Sequence, residues 1–160
     1  MIDNDPASPD FNSYGFVAGL VAFAEARGYD VPEESAEQLL IQAMDYLNIQ
    51  SWAGRPTSAD QPLPWPRTGV RLYGQPVPSD SIPKQLVQAQ YLLAVTALET
   101  DLMPAYGGAQ ALKETVSGAV SIEYSEKSLS AAPYFPWLRG MLAGLLGGGG
   151  SATSFKVVRG

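Results

Sequence analysis

Residues 61–83 read QPLPWPRTGVRLYGQPVPSDSIP, and six of the chain's 13 prolines fall here, around Trp65 and Tyr73. Proline fixes φ and lacks a backbone N–H, so this stretch forms neither an ordinary helix nor a central strand. A flexible linker would be richer in Ser and Gly and poorer in large apolar residues. The aromatic and aliphatic groups instead predict a long loop, over 50–81, held in one shape by packing. Long ordered loops of small domains are commonly functional surfaces.

The sequence on either side of the loop is helical in pattern. Before it, Phe16, Leu20, Phe23 and Ala24 fall at helical spacing over 14–27, with Ser13 as a plausible N-cap and Gly28 as a stop. A second helix is expected over 33–49. Its first turns hold Glu33, Glu34 and Glu37, where the helix dipole favours anions, and Ala36, Leu40, Ala43, Met44 and Leu47 form one apolar face, broadened by Leu39 and Tyr46. After the loop, Leu86, Val87, Tyr91, Ala94, Val95, Leu98 and Leu102 trace a third helix over 82–102. It is capped by Ser79, Asp80 or Ser81, with Pro83 in its first turn. Val120, Ile122 and Tyr124 alternate with polar residues and predict a short β-hairpin at about 115–125. Tyr134, Phe135 and Trp137 open a short apolar helix over 136–146, either as core or as an interface anchor.

These patterns predict a mainly α fold: a small bundle of three to four helices with a long Pro-rich loop, a short β-hairpin and an extended C-terminal arm. Residues 1–10 are expected to be a flexible N-terminal arm. Residues 11–146 form the domain, and 147–160 a glycine hinge with a docking arm. In that arm Phe155, Val157, Val158 and Arg159 make a strand-prone run suited to adding a strand to a neighbour's sheet edge, or else a frayed terminus.

Composition narrows the function. At 160 residues the chain supports one domain with a real core. Charged residues make up 16%, against about a quarter in a typical soluble domain, which fits a surface partly covered by other subunits. Net charge is −6, the wrong sign for a protein whose affinity for nucleic acid rests on neutralising phosphates. An acidic surface suits a conduit past which DNA slides without sticking. The acidic N-terminus is not a signal peptide, and the glycine-rich run near the end is too short to span a bilayer, so no membrane association is expected.

The chain has no Cys and no His, which removes disulfides, thiolate chemistry, the commonest general base and the commonest transition-metal ligand. There is no phosphate-binding glycine loop, no nucleophile elbow and no calcium-loop spacing. The sequence therefore predicts no catalytic residue, no cofactor and no metal. The loop does offer Trp52, Arg55, Trp65, Arg67, Arg71 and Tyr73. Aromatics interleaved with arginines are what single-strand binders use for stacking and backbone neutralisation. The same residues equally suit a protein interface, or a packed loop with Trp65 plugging the core beneath the prolines and the arginines on carboxylates or carbonyls.

The block WAGRPTSADQPLPWPRTGV (52–70), followed by VPSDSIPKQLVQAQYLLAVTAL (77–98), resembles a family of small tailed-phage proteins often labelled DnaT-like single-stranded DNA-binding proteins. The resemblance spans about residues 11–146 and is sharpest at Trp65, Pro66, Arg67, Thr68 and Gly69, then Pro78 and Pro83. It implies a head–tail adaptor, or head completion protein, of the virion neck, present in host cytoplasm during assembly. Its expected partners are the portal and the tail or neck proteins, and its expected form is a homo-oligomeric, dodecameric ring with genomic DNA passing through the lumen without sequence-specific binding. On that expectation the protein-interface residues are Trp52, Arg55, Trp65, Arg67, Arg71, Tyr73, Phe155, Val157, Val158 and Arg159. The label itself implies the alternative, a single-stranded DNA-binding protein of phage replication.

Overall fold

A computed structural model describes residues 1–104 and 133–147 of the chain. Among the described residues four helices form the body: α1 (Val17–Glu25), α2 (Glu33–Asn48), α3 (Lys84–Thr96) and α4 (Pro136–Met141). The most extensive packing is between α2 and α3, with α1 lying against both and α4 against α3. This is the small, mainly helical domain that the apolar periodicity predicts.

The apolar face of α2 is buried as read: Ala36, Leu39, Leu40, Ala43, Met44, Tyr46 and Leu47 all lie in the core. Leu86, Ala89, Tyr91, Leu93, Ala94 and Val95 of α3 meet it, joined by Leu20, Ala24, Phe135, Leu138, Leu142 and Leu145. Burying one such Leu side chain stabilises by about 1.5–3 kcal/mol. Gly15 and Gly19 are required for the approach of α1 to α3, because a Cβ at either position would collide with the Tyr91 ring.

The structure corrects several expectations. α1 starts at Val17 with Phe16 in the capping position, not at residue 14 after Ser13. Ser13 is fully buried, and its hydroxyl donates to Gly15 O at 2.7 Å and accepts from Gln90 Nε2 at 2.8 Å. That hydroxyl is engaged with α3, so it does not cap α1. α3 ends at Thr96, and the chain continues in tight turns, with Leu98 exposed and Leu102 buried. Pro83 occupies the capping position of α3 and no side chain caps it.

The first ten residues hydrogen-bond to the segment that leads into α1. Asp3 O accepts from the backbone N–H of Asn12 (2.9 Å) and Ser13 (3.2 Å), its own N–H donates to Asn12 Oδ1 (2.9 Å), and the Ser8 hydroxyl donates to its carboxylate (2.5 Å). Ile2 packs against the core. The hairpin expected at 115–125, and Phe155, Val157, Val158 and Arg159 of the docking arm, lie outside the described residues.

Candidate interaction surface

The connection between α2 and α3 is an ordered excursion, and it contains strand pairs that the proline content argues against. β1 (Arg55–Pro56) pairs antiparallel with β2 (Arg67–Thr68), and β3 (Arg71–Leu72) pairs antiparallel with β4 (Gln75–Pro76). Each strand is two residues long, so the prolines occupy short, one-sided ladders where a missing N–H is tolerated. Gly54 has φ +68, and a Cβ there would strike the Thr68 carbonyl, so the β1–β2 pair closes only over glycine.

The excursion is sealed from within. Trp65 is fully buried, and Trp52 meets it edge-on at 87°, with ring centroids 5.9 Å apart. The Trp52 indole N–H donates to Leu47 O (3.2 Å), tying the excursion to the last turn of α2. The Trp65 backbone N–H donates to the Tyr14 hydroxyl (3.3 Å). Burial pushes that phenol well above the ordinary tyrosine range, with the Trp65 N–H and the nearby Arg67 guanidinium partly opposing the shift. Residues 51–53 are in turn held by the segment after α4: Ala53 N–H donates to Leu145 O (2.9 Å), and Gly147 N–H donates to Ser51 O (2.6 Å).

Arg67 is the keystone. It is 8% exposed, and its guanidinium donates from Nε to Ala53 O (2.6 Å), from Nη1 to Pro64 O (3.1 Å) and from Nη2 to Gly54 O (2.9 Å). Burial lowers its pKa from the usual arginine value, and the group stays charged across any physiological range. A proline-rich loop has more carbonyl acceptors than N–H donors, because each proline contributes only a carbonyl. One guanidinium, with five donors, makes up that deficit.

The six loop residues singled out by sequence therefore divide. Trp65 and Arg67 lie in the interior and Trp52 is half-buried against Trp65, so these three build the excursion. Arg55, Arg71 and Tyr73 are exposed. Tyr73 is 87% exposed at the tip of the β3–β4 hairpin, and the Arg71 guanidinium donates to Gly74 O beside it. Among the described residues no group of three or more His, Cys, Asp and Glu could hold a metal, and no helix is long and apolar enough to cross a membrane. Asp45 and Glu99 are both exposed, and no ion pair joins them.

The chain matches, over residues 1–160, the family described as "Putative DnaT-like ssDNA binding protein", and it belongs to that family. No curated protein and no solved structure matches it.

Proposed function

We propose that the protein is a structural subunit of a tailed-phage neck, an adaptor between portal and tail that works through the outer end of the α2–α3 excursion. The observation that carries this reading is the fate of Trp65 and Arg67. Both sit inside the fold, so the alternating aromatic–arginine groove of a single-strand binder is not assembled. Of the six loop residues, one tyrosine and two arginines remain fully on the surface, on a chain of net charge −6. Tyrosine and arginine are the residues that most often anchor protein interfaces.

The family description supports a second reading, single-stranded DNA binding, and it is the comparison that bears most directly on function. Tyr73, Arg71 and Arg55 would be its contacts: a base stacked on the phenol ring and two phosphates on the guanidiniums. Stacking contributes about 1–3 kcal/mol per base. Two neutralised phosphates give a log–log salt slope of about −1.4 on a single strand. Both terms are small against the repulsion of an acidic protein.

Titration of a labelled oligothymidylate in low salt separates the two readings. The adaptor reading expects no saturable binding, together with stoichiometric presence of the chain at the neck of purified particles. Saturable binding that weakens with salt, and that disappears in Arg71→Ala or Tyr73→Ala, would replace it with the second reading.

A further inference from the structure

Tyr73 does nothing for the fold that holds it. It is the first residue of a two-residue hairpin turn, at φ +54, followed by Gly74 at φ +79. Such turns need positive φ at both central positions and favour Asn and Gly, whereas a bulky side chain in the left-handed region is strained. The ring points away from the body, and none of the aromatic pairs of the described residues includes it. A strained, solvent-facing aromatic on a braced tip is a contact residue.

The same excursion also carries a hollow. It is open, about 390 Å³, and lined by Pro56, Pro62, Leu63 and Pro64 together with the polar Asn48, Ser58 and Gln61. That volume falls within the roughly 300–1,000 Å³ of ligand pockets and admits a phenol ring. The wall is set in advance by Gln61, whose amide donates to Leu63 O (2.8 Å) and Pro66 O (3.0 Å) while its carbonyl oxygen accepts from Ser58 N–H (2.9 Å). Exposed Asp60 stands on the rim, next in sequence to lining residues on both sides. The tip brings Arg71 and the hollow brings Asp60, so the charges are complementary.

We propose that Tyr73 of one copy seats in the proline-walled hollow of a second copy, with Arg71 against Asp60. Knob and hollow are different surfaces of one chain, so each copy has one of each to offer, and repeated in one direction the contact is head-to-tail. Such an interface closes into a ring when the rotation per copy permits. The inference rests on the adaptor reading for its ring, while the pairwise contact stands without it.

Sedimentation velocity of the full chain tests it, up to roughly 100 µM, where even a micromolar contact saturates. The unaltered chain is expected to self-associate. Tyr73→Ala removes the knob and Ala59→Trp fills the hollow, and each variant alone is expected to sediment as a monomer with an unchanged circular dichroism melt. An equimolar mixture has one good knob and one good hollow, and is expected to form a dimer and nothing larger. Arg71→Glu and Asp60→Lys should each weaken association at least tenfold and restore it when combined. A monomeric parent, variants that associate like the parent, or a mixture that stays monomeric would each overturn the contact. Stoichiometric variant protein at the neck of particles, despite failed self-association, would leave the adaptor reading standing and remove only this contact.

Discussion

At residue 67 the excursion depends on geometry that only arginine supplies. The guanidinium reaches three carbonyls in three directions from one plane, and a lysine ammonium at the end of a flexible stem cannot hold all three. A hydrogen bond to a charged group contributes about 1.5–3 kcal/mol, and an unpaired buried acceptor costs about as much. Arg67→Lys is therefore expected to lower stability by about 2–4 kcal/mol in urea denaturation, with Trp52 and Trp65 fluorescence shifting toward the exposed value before the far-ultraviolet helix signal is lost. In the sequence, this arginine and its neighbour Arg71 read alike. Residue type and spacing could nominate both for a surface, but whether a side chain turns inward depends on where the carbonyls of residues 53 and 54 end up. Those carbonyls are more than ten positions away along the chain. Tyr73 was singled out only as one of the aromatics interleaved with arginines, and its place at the tip of a hairpin comes from the pairing of Arg71 with Pro76 and Leu72 with Gln75.

At the scale of elements, the helices were legible because each repeats its apolar residues with a helical period, and α2 is found within one residue of its expected range. The ends were less legible, since local capping signals compete with tertiary bonds. Gln90 shows how. It is fully buried on α3; its Oε1 accepts from Tyr14 N–H (3.0 Å) and Gly15 N–H (2.8 Å), and its Nε2 donates to the Ser13 hydroxyl (2.8 Å) and Leu40 O (3.0 Å). One amide thus ties the entry of α1 to α2 and α3, and it draws Ser13 away from the capping role its sequence suggests. A glutamine among apolar positions of a helix gives no sequence signal of four partners. Gln90→Leu keeps the shape and leaves the Tyr14 and Gly15 backbone N–H groups unpaired, while the Ser13 hydroxyl keeps its bond to Gly15 O. The expected cost is about 2–4 kcal/mol, with amide exchange in α1 accelerating more than in α2. If α1 and α2 were to lose protection equally, the amide would be holding the whole core and not the α1 junction.

For the whole molecule, stability should be limited on the alkaline side. Burial raises the phenol pKa of Tyr14 and Tyr91, and that of Tyr46, whose hydroxyl donates to Pro133 O, is pushed up to about 12. An unfolded tyrosine ionises near 10. The folded state therefore holds protons that the unfolded chain releases, so these groups contribute full stability below pH 10 and lose it as pH rises from about 10 through 12. Absorbance at 295 nm against pH should show these three phenols titrating late and together with loss of helix. Titration of Tyr14, Tyr46 and Tyr91 near 10 in a folded protein would contradict the burial. The excursion behaves differently from this titrating core. Arg67 meets neutral carbonyls, and no carboxylate is among its hydrogen-bond partners, so nothing in its immediate cage protonates in mild acid and salt has no opposing ion there to screen. The platform under Tyr73 and Arg71 should keep its shape from dilute buffer to concentrated brine. Any ionic-strength dependence measured for this protein's associations then belongs to the contact being made and not to a loop changing form.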